Sequence, residues 1–194
     1  MNNKKEKKRK VVIVSGPSGV GKSTICREVT KHIDAFLSLS VTTRTPGNTE
    51  IDGKDYRFVS EDEFQKKIQN RDFLEYAQVF GNYYGTPAAP VREALAQGKA
   101  VILEIDVQGA REVRKTYPDA IMIFIFPPSQ NDLAGRMTGR ARGEDGETAR
   151  RRLDNAGQEI AAAWQYYDHM VINADLQQAV EEIIQIIQEH EDTQ

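Results

Sequence analysis

The sequence predicts an α/β fold with a parallel core sheet, because short apolar runs alternate with helical patterns along most of the chain. The first run, "VVIV" at 11–14, is continuously apolar, as expected for a strand buried on both faces of a parallel sheet. The runs at 100–106, 120–126 and 170–173 have the same character. A length of 194 residues, of which 39% are hydrophobic, suits one globular domain with small inserted lobes.

Helical patterns occupy the segments between these runs. In chain order, the predicted helices are 22–32, 89–97, 107–116, 130–138 and a last helix with Leu176, Val180, Ile183, Ile184 and Ile187 on one face. Gly98 is expected to cap the second helix at its carboxyl end. Ser129, with Asp132 three positions later, is typical of a capping box at the start of the fourth. Cys26 lies in the first helical pattern and is interpreted as a small core residue.

Two segments interrupt the alternation. Residues 36–86 are rich in short β signals around one helix, "EDEFQKKIQN", which Ser60 and Glu63 begin, so they predict an inserted lobe with mixed or antiparallel strands. Residues 136–152 are polar and crowded with arginines, which predicts a mobile lid or, alternatively, a solvated helical hairpin. We predict that residues 10–190 form a single domain. Outside the lobe and the lid, its core consists of 10–35, 87–135 and 153–190.

Composition narrows the functional classes. The net charge of −3 argues against bulk nucleic-acid binding, and no apolar run approaches the ~20 residues of a membrane span. The basic tail at 1–9 lacks the apolar stretch of a signal peptide, and we interpret it as solvated, with weak RNA or phosphate attraction as the alternative. A single cysteine excludes an intrachain disulfide and fits a reducing compartment. We therefore expect a cytoplasmic protein with no membrane, nucleic-acid or obligatory protein partner.

The segment "GPSGVGKS" at 16–23 follows the first predicted strand and opens a helix, which fits the P-loop pattern. Its glycines let successive backbone N–H groups turn towards phosphate oxygens, and the helix amino terminus adds partial positive charge. Lys22 is expected to reach the β- and γ-phosphates, and Ser23 to offer a hydroxyl to Mg²⁺. The predicted ATP-binding residues here are Gly16, Pro17, Ser18, Gly19, Val20, Gly21, Lys22, Ser23 and Thr24.

Two acidic residues, Glu104 and Asp106, stand at the carboxyl end of a predicted core strand, "VILEID". Because they alternate with apolar residues, both side chains are expected on one face, where open α/β sheets bind ligands. Asp106 could instead cap the following helix, but next to a P-loop we favour a role at the phosphates and the metal.

Polar residues of the lobe suit a phosphorylated acceptor; they are Ser40, Arg44, Tyr56, Glu75, Tyr84 and Thr86. An arginine near tyrosine hydroxyls suits a phosphate, because a charge-assisted hydrogen bond is about twice as strong as a neutral one. A carboxylate with nearby hydroxyls suits guanine, whose N1–H and N2–H need an acceptor and whose O6 needs a donor. Adenine reverses this pattern, a mismatch that can cost a factor of ~10⁴. Taken singly, each residue is also compatible with ordinary surface or strand polarity.

The chain closely resembles the guanylate kinases from about Lys10 to Ala179. The motifs that carry the resemblance are, in order, "GPSGVGKST", "SVTTRTP", "DGKDYRFVS", "FLEYAQVFGNYYGT", "EIDVQGA", "IFPPS" and the stretch from "RMTGR" to "RRRLDNA". The resemblance implies a P-loop NTP hydrolase-like fold with a GMP-binding lobe and a helical lid. The implied reaction is transfer of the γ-phosphoryl group of ATP to GMP, with Mg²⁺ as the metal and dGMP as a second candidate acceptor.

The resemblance also implies roles for individual residues. Lys22 would clamp phosphates, and Ser23 would bind Mg²⁺ together with phosphates and waters. The GMP-binding residues would be Ser40, Arg44, Tyr56, Glu75, Tyr84, Thr86, Glu104 and Asp106, with Asp106 also a candidate for reaching the metal through water. The catalytic group would be completed by two lid arginines, Arg140 and Arg152, and Asn173 would lie with Arg140 near ATP. The lid carries one extra residue, so Arg150 and Arg151 compete with Arg152 for the second role.

Two positions depart from the family pattern. Most family members read R-x-P-R-x-G-E where this chain has "RTPGNTE", so Gly47 replaces a second arginine and Thr49 replaces the usual glycine. Loss of a hydrogen bond to a charged group is worth roughly 1.5–3 kcal/mol, so GMP affinity could fall about ten- to a hundredfold. Lys54 and Arg57 are candidates to replace the missing contact.

Two other functions stay open on the sequence alone. A related kinase could phosphorylate dGMP, IMP or a sugar phosphate. Gly47 keeps this alternative open, whereas Glu75 with Ser40 and Thr86 argues for a guanine base. A guanylate-kinase-like domain can also serve as a non-catalytic module that binds partner peptides, but such modules typically have degraded P-loops, whereas Lys22 and Ser23 are present here.

Overall fold

The computed structural model describes residues 10–129, 131–133, 135, 156–157 and 159–192. The predicted basic tail and the predicted lid at 136–152, with the candidate arginines Arg140, Arg150, Arg151 and Arg152, lie outside the described residues. None of the helices in the described part of the chain is long and apolar enough to cross a membrane.

The described elements alternate between strand and helix, as the apolar runs predict. In chain order they are β1 (Val11–Ser15), α1 (Lys22–His32), β2 (Ala35–Leu37), β3 (Val41–Thr42), β4 (Arg57–Phe58), α2 (Glu61–Gln69), β5 (Phe73–Val79), β6 (Asn82–Pro87), α3 (Ala88–Ala96), β7 (Ala100–Glu104), α4 (Val107–Thr116), β8 (Ile121–Phe126), β9 (His169–Ile172) and α5 (Leu176–Asp192). Further helical residues lie at 131–133 and 159–166.

Five strands form a parallel sheet in the order β2-β7-β1-β8-β9, which confirms the predicted fold class. Its strands are apolar at successive positions because both faces are covered. Val12 and Val14 belong to the apolar cluster formed with α1 and α5, and Cys26 is buried in it as predicted. Val11 and Ile13 belong to the cluster formed with α3 and α4 on the other face.

A second sheet of four strands, in the order β4-β3-β6-β5, builds the lobe. Its β3–β4 pair is parallel and its other pairs are antiparallel, so it is mixed, as predicted. Helix α2 begins at a capping box, in which the Ser60 hydroxyl accepts from the Glu63 amide and the Glu63 carboxylate accepts from the Ser60 amide. Phe64 of α2 is fully buried and stacks on Phe73 and Tyr83, with ring centroids 4.5 and 5.3 Å apart.

Several boundaries of strands and of the lobe differ from the predicted ones. Strand β7 ends at Glu104 rather than at residue 106, because Asp106 caps α4 and ends the extended backbone. Strand β2 pairs with β7, so residues 36 and 37 lie in the core sheet rather than in the lobe that was predicted to begin there. Gly98 has φ of 93° directly after α3 and Gln97, as expected of a residue that ends a helix. Ser129 accepts a hydrogen bond from the Asp132 amide, 3.1 Å away, which supports the predicted helix start there.

The ring stack around Phe64 predicts where the lobe is vulnerable. Phe64→Ala removes a fully buried aromatic ring, so we expect the free energy of unfolding to fall by about 3–5 kcal/mol in urea titration. Tyr76→Ala on β5 is the matched control, since Tyr76 is 48% exposed, and it should cost less than about 1 kcal/mol. Equal losses for the two variants would contradict this account of the lobe.

Candidate active site

A cleft lies between the P-loop, the carboxyl end of β7 and the lobe. It brings together most of the predicted site residues: Gly16, Ser18, Gly19, Lys22, Ser23, Ser40, Arg44, Tyr56, Glu75, Tyr84, Glu104 and Asp106. The remaining predicted residues of the described chain do not line it: Pro17, Val20, Gly21, Thr24, Thr86 and Asn173. Of these, Thr86 holds the lining residue Glu75 in place, and Asn173 holds the P-loop in place.

The P-loop turns directly from β1 into α1. Gly21 has φ of 106° and precedes the first helical residue, a conformation that side chains with a Cβ rarely adopt. Lys22 folds back over the loop, where its Nζ donates to the carbonyl oxygens of Gly16 at 2.6 Å and Pro17 at 3.0 Å. The loop therefore holds a positive charge at its centre.

Asn173 braces the P-loop from the far end of the sheet. It directly follows β9, and its buried amide donates to the carbonyl oxygen of Val20 at 2.7 Å. A Cβ on Gly21 would lie only 2.6 Å from Asn173 Nδ2, so glycine is required at this close approach as well as by its backbone. The structure thus places Asn173 against the loop itself.

The acidic pair takes two different positions. Ser23 Oγ donates to Glu104 Oε1 at 2.7 Å, which joins the P-loop helix to the end of β7. Asp106 caps α4, where its Oδ1 accepts from the Gly109 amide at 2.8 Å and its Oδ2 accepts from Gln108 Nε2 at 3.1 Å. Asp106 also lines the cleft, so its role as a helix cap does not remove it from the candidate site.

Arg44 is fixed in the lobe by several partners. Its guanidinium pairs with Glu50 at 2.8 Å, donates to the Tyr84 hydroxyl at 3.2 Å and lies 5.5 Å from the centre of the Tyr56 ring. Burial disfavours its charge, but the hydrogen bonds and charges of Glu50 and Tyr84 together outweigh burial and raise the pKa of Arg44. Burial also raises the pKa of the Tyr56 hydroxyl, which keeps it a neutral donor.

Glu50 is a site residue that the sequence analysis missed. Its Oε1 pairs with Arg44, while its Oε2 accepts from the Gly47 amide at 2.7 Å, and the Arg44 and Glu50 side chains are only 15% and 13% exposed. The signal was present, because a carboxylate stands three residues after Gly47 in a turn. Glu50 closes the turn that carries the departure from the family pattern.

The two candidates to replace the missing arginine differ in position. Arg57 pairs with Asp52 at 2.9 Å, its side chain is 60% exposed, and it does not line the cleft. Lys54 lines a smaller adjoining hollow, which shares Ser40, Tyr56 and Glu104 with the cleft. Lys54 is therefore the better placed of the two.

Glu75 and Thr86 form a buried polar pair on neighbouring antiparallel strands. The Thr86 hydroxyl donates to Glu75 Oε1 at 2.5 Å, Thr86 is fully buried, and Glu75 is 7% exposed. Burial raises the pKa of Glu75 to about 7, the Thr86 hydrogen bond opposes that rise, and the nearby Asp106 adds to it. The carboxyl is thus poised between its charged and neutral forms near neutral pH.

Glu159 also lines the cleft, and no motif indicated it. Burial raises its pKa to about 7 against the opposing attraction of Lys22, and its Oε2 is buried without a hydrogen-bond partner in the described part of the chain. It lies in the helical residues at 159–166, where an isolated Glu in a helical pattern carries no sequence signal.

Comparison with known proteins identifies the family to which this chain belongs. The family model described as "Guanylate kinase" matches residues 8–190. The chain is 50% identical over 175 residues to a guanylate kinase of Carboxydothermus hydrogenoformans, covering 89% of this chain and 84% of that protein. It is 46% identical over 186 residues to one of Synechocystis, covering 95% and 96% of the two chains.

Solved structures agree with the sequence comparisons. The crystal structure of guanylate kinase from Anaplasma phagocytophilum superposes with a TM-score of 0.80 at 29% identity, over 96% of this chain and 88% of that one. The SH3-kinase fragment of tight junction protein 3 shares the fold alone, with a TM-score of 0.52 at 11% identity over 94% of this chain and 58% of that one. With its P-loop, its lobe and these relatives taken together, the chain belongs to the guanylate kinase family.

Proposed function

We propose that this protein transfers the γ-phosphoryl group of ATP to GMP, giving ADP and GDP. The observation that carries the proposal is a single cleft that joins a P-loop, at Lys22 and Ser23, to a buried Glu75–Thr86 pair. The first part suits a triphosphate and the second a guanine base. A guanylate kinase that is 50% identical over 89% of this chain supports the same assignment.

Guanine selection is assigned to Glu75, Ser40 and Thr86. The ionised Glu75 carboxylate accepts from guanine N1–H and N2–H, and the Ser40 hydroxyl supplies a donor for O6. Thr86 holds Glu75 Oε1 at 2.5 Å, so the carboxylate is oriented before the base arrives. Adenine would leave this buried carboxylate without its donors, which is the mismatch that enzymes reject most strongly.

The GMP phosphate is assigned to Arg44, Tyr56 and Tyr84. Arg44 already contacts Tyr84 and lies over the Tyr56 ring, so the three groups converge on one part of the cleft. Its pairing with Glu50 holds the guanidinium in place without substrate. A phosphate binds this arginine with little loss of side-chain freedom, because the rotamer is already fixed.

The residues at the P-loop fit Mg²⁺ as the metal partner of ATP. Ser23 and Glu104 place a hydroxyl and a carboxylate within 2.7 Å of each other, and Mg²⁺ prefers such oxygen ligands. We propose Ser23 as the direct ligand, with phosphates and waters, and Asp106 as a contact through water. When bound, the ion neutralises phosphate charge.

The chain's own residues supply alignment and charge stabilisation. Lys22 would exchange the carbonyls of Gly16 and Pro17 for phosphate oxygens, and Arg44 would orient the acceptor for in-line attack on the γ-phosphorus. Arg140 and Arg152 are proposed to close over the transferring group and exclude water, which limits hydrolysis of ATP. Asn173 serves the ATP site by holding Val20. We also propose a cytoplasmic location, with dGMP as a second acceptor.

A panel of acceptors tests the proposed reaction. In a coupled assay of ADP release with ATP, GMP should give the highest kcat/KM, and AMP should be lower by about 10⁴ because Glu75 then lacks its donors. IMP, which lacks the N2 amino group, should fall between them. A higher kcat/KM for AMP, IMP or a sugar phosphate than for GMP would overturn the assignment.

The pKa of Glu75 predicts a pH dependence of GMP binding. Guanine binds the ionised carboxylate, so below pH 7 binding must release a proton, and the KM for GMP should rise towards about tenfold per pH unit. Above pH 7 the carboxylate is already charged and the KM should be flat.

Glu75→Gln separates this effect from titration of the GMP phosphate itself, near pH ~6. The variant should show a KM for GMP raised about ten- to a hundredfold at pH 8 and only the phosphate's dependence below it. The KM for ATP is measured over the same pH range as a control, because Glu159, the other cleft carboxyl with a pKa of about 7, interacts with Lys22 of the P-loop. Identical pH profiles for the wild type and Glu75→Gln would exclude Glu75 as the titrating group.

Gly47→Arg restores the arginine that relatives carry and should lower the KM for GMP up to about tenfold with kcat unchanged. A Cβ at this position would lie 3.1 Å from Glu50 Oε2, so the turn needs only a small adjustment. Gly47→Ala is the matched control for that adjustment alone. If Gly47→Arg gains nothing over Gly47→Ala, another group, with Lys54 the first candidate, already makes the contact.

A further inference from the structure

The first turn of α4 packs directly against the guanine-selecting carboxylate. Asp106 is the N-cap of this helix, and Gly109 is its third residue. Gly109 has no left-handed φ, so its backbone does not require glycine. Alanine is the better helix former at such a position, because glycine loses more backbone entropy. Some contact outside the helix must therefore favour glycine here.

That contact is with Glu75. A Cβ built on Gly109 would lie 2.5 Å from Glu75 Oε2 and 2.9 Å from Glu75 Cδ, closer than real Cβ atoms approach other heavy atoms. It would also lie 3.4 Å from Asp106 Oδ1, so the space is closed on that side too. The carboxylate of Glu75 occupies the volume that any larger residue at 109 would need.

Glu75 cannot move away freely, because two features fix it. Thr86 holds its other oxygen, Oε1, at 2.5 Å in a fully buried position. The pairing of β5 with β6 shifts register between Phe73 and Glu75, and such irregularities re-aim a side chain out of the regular alternation. The strand thus directs Glu75 at α4, and the helix must leave room for it.

We propose that Gly109 is a positioning residue for base selection, whose missing side chain sets where the Glu75 carboxylate stands in the cleft. This inference rests on the proposed function, since it concerns the same base-binding carboxylate. A methyl group at 109 pushes Oε2 from its place while Thr86 retains Oε1. The carboxylate then meets guanine N1–H and N2–H at the wrong angle, although the P-loop is untouched.

The test combines Gly109→Ala with Glu75→Asp, which shortens the acidic side chain and vacates the disputed volume. Gly109→Ala should raise the KM for GMP about tenfold or more, leave the KM for ATP within twofold and shrink the preference for GMP over IMP. In the Glu75→Asp background, the same substitution should change the KM for GMP much less. Gly157→Ala is the matched control, because among the described residues no atom outside its chain neighbours and its own helix backbone lies within 4 Å of its Cβ position, and it should leave all three values unchanged.

Melting temperatures without nucleotide test the contact independently of the reaction. Gly109→Ala should lower the melting temperature of the wild type by several degrees, but leave unchanged or raise that of Glu75→Asp, where the methyl group has room. If Gly109→Ala alone is insoluble but the double variant with Glu75→Asp is soluble, that result also supports the proposal.

Three outcomes would overturn the inference. They are equal melting losses in both backgrounds, insolubility in both backgrounds, and a Gly109→Ala variant that keeps its KM for GMP and its preference over IMP within twofold. The proposed function fails separately: if the melting cycle shows the coupling but wild-type protein does not phosphorylate GMP, then the contact stands and the assigned substrate is wrong.

Discussion

The position of β1 between β7 and β8 is the constraint on which the site depends. Because these strands are parallel, their carboxyl ends meet at one edge, and the P-loop after β1 is set beside Glu104 at the end of β7. The apolar residues that bury β1 on both faces hold this arrangement. The Ser23–Glu104 hydrogen bond then ties the two strand ends together at the point where phosphates are expected.

The predictable parts of the structure were those encoded within a few neighbouring residues. The runs at 11–14 and 120–126 predicted core strands because apolar continuity is a local pattern, and Ser60 with Glu63 predicted the start of α2 for the same reason. Strand β7 was predicted too long because alternation alone does not reveal that Asp106 turns to cap α4. Strand β2 was assigned to the lobe because pairing with β7 is decided by contacts distant in sequence.

The residues of the candidate site also divide into those that a sequence motif identifies and those that only the folded structure identifies. Motifs placed Lys22, Arg44 and Glu75 in one cleft, because the family pattern names them by sequence. Glu159 was missed, since an acidic residue in a helix resembles ordinary surface until its burial is known. Glu50 was missed although it stands at the glutamate of the family pattern, because the pattern does not show its pairing with Arg44. Burial is also what separates Glu75 from a simple strand residue: it raises the pKa of the carboxyl to about 7, a value that no sequence pattern contains.

The hydrogen bond from Asn173 to Val20 has a consequence for synthesis of the protein. Its two residues are 153 positions apart, so the ribosome makes the P-loop long before its brace. At translation speeds of about 5–20 residues per second, the loop precedes Asn173 by roughly eight to thirty seconds. Throughout that interval the nascent chain carries a phosphate-binding sequence without the far edge of the sheet that shapes it. The shape of the P-loop thus depends on a residue that is synthesised well after the loop itself.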